Sequence, residues 1–456
     1  MEPVLVLLCL SLARAAAAAV GRGVARPAEG VILPLRVQQV AIPPPPPRAP
    51  ANKVQFRRNV SLTVPVSVGT PPQNVTMVLD TGSELSWLLC NGSSVPPPFF
   101  NASASSTYRA VPCASPDCQW RGRDLPVWPS CAAPPSTNSC RVSLSYADAS
   151  SADGLLAADT FAFPGAAPPV PAVLLFGCIA SYYSSSTTTG NATNNSSSDA
   201  AATGLLGMNR GSLSFVTQTG TRRFAYCIAP GDAPGLLVLG GDAAPSPPLN
   251  YTPLISISLP LPYFDRAAYS VQLEGIRVGR ALLPIPRSAL APDHTGAGQT
   301  MLDSGTQFTF LLADAYAALK REFAAQAHAL LAPLDEPGFA FQGAFDACFR
   351  ATEAGVAAAS RTLPEVGLVL RGAEVAVAGE KLLYMVPGER RGEDGAEAVW
   401  CLTFGSSEMA AMSAYVIGHH HQQDVWVEYD LQNGRVGFAP ARCDLAATQR
   451  LLGAGP

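Results

Sequence analysis

The chain has 456 residues, of which 48% are hydrophobic and only 14% are charged, and its formal net charge is −4 at pH 7. This balance argues against a nucleic-acid-binding surface, which needs clustered basic residues. The length exceeds what one hydrophobic core normally supports, so we expect two domains. The 39 glycines and 42 prolines favour turns and short strands over long helices.

The first segment of the chain has the composition of a secretory signal. Residues 4–12 form an apolar core, and residues 15–19 are alanines that suit a cleavage site. The apolar run is too short for a membrane anchor, and Arg14 interrupts it. We therefore expect a signal peptide at residues 1–19 and no membrane anchor in the mature chain. The expected location is the secretory pathway, with the extracellular space, the endoplasmic reticulum and the vacuole as possible destinations.

The next segment, residues 20–58, is rich in alanine, arginine and proline. It includes five consecutive prolines at residues 43–47. Such a composition is typical of an extended, solvated chain, so we expect a linker here.

Two near-identical tetrapeptides dominate the rest of the sequence. Residues 60–68 and 75–79 predict two strands, and the second strand leads into Asp80-Thr81-Gly82-Ser83. A second tetrapeptide, Asp303-Ser304-Gly305-Thr306, lies 223 positions later and also follows a short apolar run. Each predicts a buried strand that ends in a tight turn with a carboxylate at its tip. The repetition indicates a duplicated pair that brings the two aspartates face to face.

Such a pair has a defined chemistry. Two carboxylates about 3 Å apart do not readily ionise together, so they share one proton. The ionised member can take a proton from water while the protonated member donates to a carbonyl oxygen, which suits amide hydrolysis. We predict that Asp80 and Asp303 are catalytic, that no cofactor is needed, and that activity falls once both carboxylates ionise.

Metal sites are not supported. Three consecutive histidines, residues 419–421, would point to alternate faces of a strand and could not share one ion. Cysteines at positions 113, 118, 131 and 140 have no nearby histidine and poor zinc spacing. We therefore predict no metal site.

The chain has 11 cysteines, and loss of Cys9 with a signal peptide leaves ten. This even number fits five disulfides in an oxidising compartment, although the sequence does not fix the pairing. Residues 90–140 form a cysteine- and proline-rich insertion, which we interpret as a stapled surface loop or as a structure that shapes substrate access. Eight glycosylation acceptor motifs occur, at Asn59, Asn74, Asn91, Asn101, Asn191, Asn194, Asn195 and Asn250.

One helix is clear from periodicity. Residues 313–331 place apolar side chains at helical spacing, which predicts a core-packing helix with no chemical role.

The chain resembles the pepsin-type aspartic proteases, and the resemblance covers roughly residues 60–443. Beyond the two tetrapeptides, Trp87 stands seven residues after Asp80. Residues 143–148 resemble the family's flap hairpin, with Tyr146 as the flap tyrosine. Residues 204–208 and 416–418 resemble the two apolar segments that pass behind the catalytic strands.

A plant subgroup shares further features. Residues 111–118 resemble an insert of nepenthesin-like plant aspartic proteases. Residues 79–88 and 416–423 are most similar to a plant subgroup linked to the promotion of cell survival. This resemblance implies a role in plant development or in restraining programmed cell death.

The resemblance implies a complete architecture. The fold would be all-β with a few short helices: the bilobal pepsin-like fold, with two β-barrel-like lobes and a cleft between them. We expect an N-terminal lobe at residues 59–242 with Asp80 and the flap, a C-terminal lobe at 243–443 with Asp303, and a tail at 444–456. The resemblance also implies an inhibitory propeptide at residues 20–58, as an alternative to the linker.

The resemblance assigns roles to individual residues. Ser83 and Thr306 would bond the outer carboxylate oxygens, and Thr81 and Ser304 would cross-link the two loops. The remaining implied roles are close approach at Gly82 and Gly305, flap closure by Tyr146 braced by Trp87, and the disulfides Cys348–Cys401 and Cys227–Cys443. The implied partners are polypeptide substrates, and we expect a monomer.

Two other functions are possible. Some plant proteins of this fold bind and inhibit cell-wall glycosidases after losing catalytic residues, but both aspartates and their hydroxyl neighbours are intact here. A glycoside hydrolase also uses two carboxylates, but it would explain neither the duplication nor the flap. We therefore favour an aspartic endopeptidase.

Overall fold

A computed structural model describes residues 30–41, 53–54, 58–90, 99–131, 138–163, 172–183, 202–241, 248–392 and 395–453. The predicted signal peptide, residues 1–19, lies outside this range, as does the proline run. Within the described residues, short strands predominate and helices are few, which confirms the mainly β fold.

The first half contains thirteen described strands. They are β1 Val31–Ala41, β2 Lys53–Val54, β3 Arg58–Val68, β4 Gln73–Asp80, β5 Trp87–Leu89, β6 Arg109–Ala110, β7 Ser130–Cys131, β8 Cys140–Ser145, β9 Ser151–Ala162, β10 Ala172–Tyr183, β11 Gly204–Gly207, β12 Arg223–Cys227 and β13 Gly235–Leu239.

The second half contains the remaining described strands. They are β14 Asn250–Pro253, β15 Ser270–Val271, β16 Leu273–Val278, β17 Ala281–Leu282, β18 Thr300–Asp303, β19 Thr309–Leu311, β20 Ala332–Pro333, β21 Ala340–Phe341, β22 Cys348–Ala351, β23 Val366–Leu370, β24 Ala373–Val377, β25 Leu383–Arg391, β26 Glu397–Leu402, β27 Phe404–Ser406, β28 Tyr415–Gly418, β29 Val425–Asp430 and β30 Arg435–Pro440.

The described helices are short apart from two. The α-helices are α1 Pro116–Gln119, α2 Phe215–Thr219, α3 Ala313–Ala327, α4 Glu353–Ala359 and α5 Cys443–Gly453. Single 3-10 turns occur at Ala102–Ala104, Arg121–Asp124, Arg287–Leu290, Gly379–Lys381 and His419–Gln422. None of the helices in the described ranges is long and apolar enough to cross a membrane.

One large sheet joins the two halves of the chain. Its strand order is β14-β30-β29-β12-β13-β1-β3-β4-β11-β5-β10-β9-β8-β7, with β6 beside β9. The strands β14, β30 and β29 belong to the second half, and β29 pairs antiparallel with β12 of the first half. The second half adds smaller sheets of its own, β15-β18-β28-β19-β27, β17-β16-β23-β24 and β20-β22-β26-β25. The result is the expected two-lobed architecture.

The same local arrangement surrounds each of the two aspartates. β11 pairs in parallel with β4, so Gly207 stands opposite Asp80. β28 pairs in parallel with β18, so Gly418 stands opposite Asp303. Each aspartate-containing loop therefore follows an interior strand of its sheet, with a paired strand on either side.

The segment expected at residues 20–58 as a linker or a propeptide contains a core strand, so this part of it is not a solvated linker. Within it, β1 is an interior strand that pairs with β13 on one side and β3 on the other. Leu33 and Leu35 are 0% and 1% exposed. Their alternation directs both side chains into the core, a signal that the proline-rich composition of the surrounding residues hides.

The chain after the last strand, which includes most of the tail expected at residues 444–456, forms a helix. α5 packs against the sheet, and Ala447 is fully buried. Periodicity predicted a different helix, at residues 313–331. In the structure this helix, α3, ends at Ala327, four residues before the expected end. Leu331 is still buried, because the backbone turns there and returns the side chain to the core.

Ten cysteines form five disulfides in the described residues. Cys227–Cys443 and Cys348–Cys401 are the two pairs that the resemblance implies. The others are Cys90–Cys178, Cys113–Cys131 and Cys118–Cys140. Three of the glycosylation candidates are at least partly exposed, namely Asn74, Asn101 and Asn250. The side chains of Asn59, Asn91, Asn191, Asn194 and Asn195 lie outside the described part.

Candidate active site

The first candidate carboxylate stands at the end of β4. Asp80 is 6% exposed, and its backbone carbonyl accepts a hydrogen bond from Met208 N–H at 2.8 Å. Its Oδ1 accepts from Gly82 N–H at 2.8 Å and its Oδ2 from Ser83 Oγ at 2.5 Å. A Cβ on Gly82 would lie 2.8 Å from Oδ1 of Asp303, so a glycine is needed for the two loops to meet.

The second carboxylate repeats this arrangement at the end of β18. Asp303 Oδ1 accepts from Gly305 N–H at 2.8 Å, and Oδ2 accepts from Thr306 Oγ1 at 2.6 Å. A Cβ on Gly305 would clash with the carboxylate of Asp80. The two aspartates therefore lie face to face, each loop touching the carboxylate of the other.

The residues between aspartate and glycine lock the two loops together. Thr81 N–H donates to Ser304 Oγ at 3.0 Å, and Ser304 N–H donates to Thr81 Oγ1 at 2.9 Å. The same hydroxyls donate across the interface, Thr81 to Leu302 O at 3.2 Å and Ser304 to Leu79 O at 2.9 Å. Both side chains are fully buried, so this reciprocal set is shielded from water.

The electrostatics of the pair favour a shared proton. Burial first, and then the negative charge of Asp303, raise the pKa of Asp80 to about 7. The hydrogen bonds from Ser83 and Gly82 oppose this effect only in part. One proton therefore stays between the two carboxylates up to nearly neutral pH.

The hairpin of β8 and β9 forms the candidate flap. Tyr146 lies at its tip, where its backbone N–H donates to Ser150 O at 3.0 Å. Trp87 Nε1 donates to the hydroxyl of Tyr146 at 2.6 Å. Burial and the nearby Asp80 raise the pKa of Tyr146, so its hydroxyl stays protonated. Tyr146 and Trp87 are therefore in contact on the Asp80 side of the cleft.

We expect the Tyr146→Phe change to lower kcat/KM about tenfold. The change removes only the hydroxyl and leaves the indole N–H of buried Trp87 without that acceptor, which costs about 1–3 kcal/mol. The tip of the flap should then lose its order. Tyr183→Phe is the matched control, because Tyr183 is 52% exposed. Steady-state cleavage of a peptide by both variants measures the effect, and equal kcat/KM values for them would refute a bracing role.

Sequence reasoning missed Glu84, which follows the first tetrapeptide directly. It is 6% exposed, and its Oε1 accepts from Leu213 N–H at 2.8 Å. Burial raises the pKa of Glu84 to about 7. The carboxyl ties the catalytic loop to the segment after β11, and its position next to the motif was the only signal in the sequence.

Arg210 was also missed. Its guanidinium donates to the carbonyls of Ala268 at 2.7 Å and Ile255 at 3.3 Å, both in the other half of the chain. Tyr269 adds a second link, donating through its hydroxyl to Met208 O at 2.6 Å. These long-range contacts fix the relative position of the two lobes and have no local sequence pattern.

The three histidines at 419–421 lie on a 3-10 turn and not on the strand assumed from the sequence. Each imidazole ring makes hydrogen bonds within the protein: His419 with Ser304 O, His420 with Lys381 O, and His421 with the hydroxyls of Thr309 and Thr403. The described part of the chain contains no group of three or more metal-binding side chains.

A disulfide links the cysteine-rich insertion to the base of the flap. Cys118 joins Cys140, the first residue of β8, and β7 continues the sheet beyond it. Arg121 of the insertion also donates to Ser212 O at 2.9 Å. The insertion thus connects the base of the flap to the segment held by Glu84.

Two lobes that each contribute one carboxylate to a cross-linked pair beneath a flap define an aspartic-proteinase type of site. Comparison with known proteins agrees with this class. Family models described as "Xylanase inhibitor N-terminal" and "Xylanase inhibitor C-terminal" match residues 63–241 and 268–440.

Among curated relatives, the Arabidopsis thaliana protein named "Aspartic proteinase PCS1" is 49% identical over 92% of this chain and 89% of its own length. "Aspartic proteinase nepenthesin-2" of Nepenthes gracilis is 33% identical over 83% of this chain and 77% of its own length. The chain belongs to the nepenthesin-like plant branch of the pepsin-type aspartic proteinase family.

Solved structures show the same fold at low sequence identity. The structure of edgp has a TM-score of 0.61 at 19% identity and covers 92% of this chain and 96% of its own. Basic 7S globulin from soybean has a TM-score of 0.58 at 20% identity, with 91% and 97% coverage.

Proposed function

We propose that this protein is an aspartic endopeptidase that hydrolyses polypeptides at acidic pH. The observation that carries the proposal is the reciprocal pair of aspartate loops. Each loop donates two hydrogen bonds to its own carboxylate. The two loops are joined by hydrogen bonds between Thr81 and Ser304. A pair of this geometry holds one proton between Asp80 and Asp303.

In the proposed reaction, a water bound between the two carboxylates attacks the scissile carbonyl carbon. The ionised aspartate takes a proton from the water, and the protonated aspartate donates to the carbonyl oxygen. The diol then collapses: one aspartate protonates the leaving amine, the C–N bond breaks, and a diol hydroxyl returns its proton to the other aspartate, so that the pair again holds one proton. Ser83 and Thr306 each hold one carboxylate in a fixed orientation, so little reorganisation is needed. Tyr146 closes the site over the substrate.

The proposed cellular setting is the secretory pathway of a plant. Five disulfides among the described residues fit an oxidising compartment. The glycosylation motifs are in keeping with that route. A role in plant development or cell-survival control is proposed from the family resemblance, and the chain is proposed to act as a monomer on polypeptide substrates.

A second candidate function is binding and inhibition of a cell-wall glycosidase. The names of the two matching family models favour it. The intact carboxylates, hydroxyls and glycines of both loops favour proteolysis instead, because inhibition of another enzyme does not require a protonated aspartate pair.

One experiment separates the two functions. The purified chain is incubated at pH 5 with a denatured protein, with and without pepstatin, beside an Asp303→Ala variant. A parallel assay measures inhibition of a xylanase. Proteolysis requires cleavage that both pepstatin and the substitution abolish. Absence of cleavage from folded protein, together with inhibition of the xylanase, would replace the proposal with the second function.

A further inference from the structure

The loop that presents Asp303 is held from behind by one histidine. His419 is the first residue of the 3-10 turn that follows β28. Its backbone N–H donates to Thr306 O at 2.8 Å, and its ring Nδ1 lies 3.1 Å from Ser304 O. Both contacts fall within the Asp303 tetrapeptide, so His419 fixes the backbone on either side of Gly305.

These contacts determine which ring nitrogen carries the hydrogen. The carbonyl of Ser304 can only accept, so Nδ1 must be the donor and Nε2 carries a lone pair in the neutral ring. His419 is 0% exposed, and across the described ranges Nε2 has no hydrogen-bond partner. A proton on Nε2 would create a buried cation with an unsatisfied donor. The turn would then have to move to reach water, and the contact with Ser304 would move with it.

A lowered pKa of the His419 ring agrees with this geometry. Burial, followed by the charge of His420, lowers the pKa of His419 to about 4. The ring is therefore neutral in the folded chain above that pH. Near this turn, the titratable groups are His420 and His421 on the turn itself, Asp303 on the supported loop, and the ion pair of Lys381 with Asp424. The strands packed against the turn, β24, β28 and β29, carry Glu374, Tyr415, Glu428, Tyr429 and Asp430.

The other half of the chain shows that packing does not require an ionisable group here. Met208 follows Gly207 behind β4 just as His419 follows Gly418 behind β18. Met208 is fully buried and apolar, and it bonds the Asp80 loop through its backbone alone. At this position behind the catalytic loop, the ionisable side chain is therefore specific to the Asp303 side, whereas the Asp80 loop has its own buried carboxyl at Glu84.

We propose that His419 is a positioning residue that must be neutral to hold the Asp303 loop, and that its protonation sets the acid limit of activity. The inference rests on the proposed proteolytic function. The aspartate pair has two limits of its own, because activity is lost when the shared proton leaves and when the ionised member is protonated. His419 adds the limit that is met first as the pH falls.

The test compares three variants with the wild-type chain in peptide cleavage between pH 2.5 and 6.5. His419→Asn keeps a donor for Ser304 O but cannot be protonated. His419→Met copies the other lobe and removes that donor. His294→Asn is the matched control, because His294 is exposed in the same lobe.

Wild-type kcat should fall reversibly below about pH 4, and His419→Asn should move this limit down by at least one pH unit without changing KM. His419→Met should lower kcat at pH 5.5 about three- to tenfold, and His294→Asn should match the wild type. An acid limit that is the same in wild type and His419→Asn would overturn the proposal.

A second readout does not depend on cleavage. In an Asp303→Asn background, the Tm should fall as the pH drops from 6.5 to 4, because the unfolded state binds a proton that the folded state excludes. His419→Asn should remove part of this fall. If the wild type cleaves nothing, the Tm comparison still decides whether the support that His419 gives is lost on protonation. The same fall in Tm with and without His419→Asn would reject the proposal.

Discussion

Replacing Asp80 with asparagine should lower kcat for peptide hydrolysis by about 10²–10⁴-fold, the range typical of lost general acid–base catalysis. Asparagine keeps the shape of the carboxyl: its Oδ1 can still accept from Gly82 N–H, while its Nδ2 can donate to Ser83 Oγ. It cannot share a proton with Asp303. Kinetics on a fluorogenic peptide at pH 5 measure the loss.

The fold should survive this substitution. The raised pKa of Asp80 means that its ionised form is disfavoured in the folded state, so a neutral asparagine should keep or raise the Tm at pH 7. Asp232→Asn serves as the control, since Asp232 is exposed. An Asp80→Asn variant with near-normal kcat would contradict the mechanism. If Asp80→Asn loses its activity because it unfolds, the Asp303→Asn variant, which removes the other member of the pair, provides the test instead.

Removing β1 should abolish folding. This strand lies between β13 and β3, and its loss would expose two hydrogen-bonding edges in the middle of the sheet. Leu33 and Leu35 together contribute about 3–6 kcal/mol through burial, a large fraction of the stability of a typical domain. A chain that starts at Gly30 should fold, and a chain that starts at Arg58 should aggregate.

Circular dichroism and thermal unfolding measure this difference. Leu33→Ala and Leu35→Ala should each lower the free energy of unfolding by about 2–5 kcal/mol. Arg36→Ala on the same strand should have little effect, because Arg36 is exposed. If the chain starting at Arg58 folds and cleaves protein, β1 would be a removable propeptide and not a permanent strand.

Local patterns were sufficient to predict the strands that carry the candidate site. Apolar runs followed by Asp-Thr-Gly-Ser and Asp-Ser-Gly-Thr indicate buried strands that end in tight turns, and the structure has β4 and β18 at these places. The pairing of the two loops followed from their repetition. Each turn is determined by interactions within a few residues, so it leaves a readable pattern, and the duplication of that pattern indicated the long-range pairing.

Features fixed by long-range packing were not predictable in the same way. β1 lies beside a proline-rich stretch, and its pairing with β13 joins residues about two hundred positions apart. Arg210 and Tyr269 act only across the lobe interface, so neither belongs to a local pattern. The histidines were assigned to a strand because an apolar strand precedes them, whereas the chain turns at Gly418 to pass behind the Asp303 loop.

The most direct test of a proton shared by Asp80 and Asp303 is the pH dependence of pepstatin-sensitive cleavage. The pair must hold one proton, and the raised pKa of Asp80 places loss of that proton near pH 7. Cleavage of a denatured protein should therefore be strong at pH 5 and fall about tenfold per pH unit above about pH 7. Undiminished pepstatin-sensitive cleavage at pH 9 would contradict a shared proton between Asp80 and Asp303.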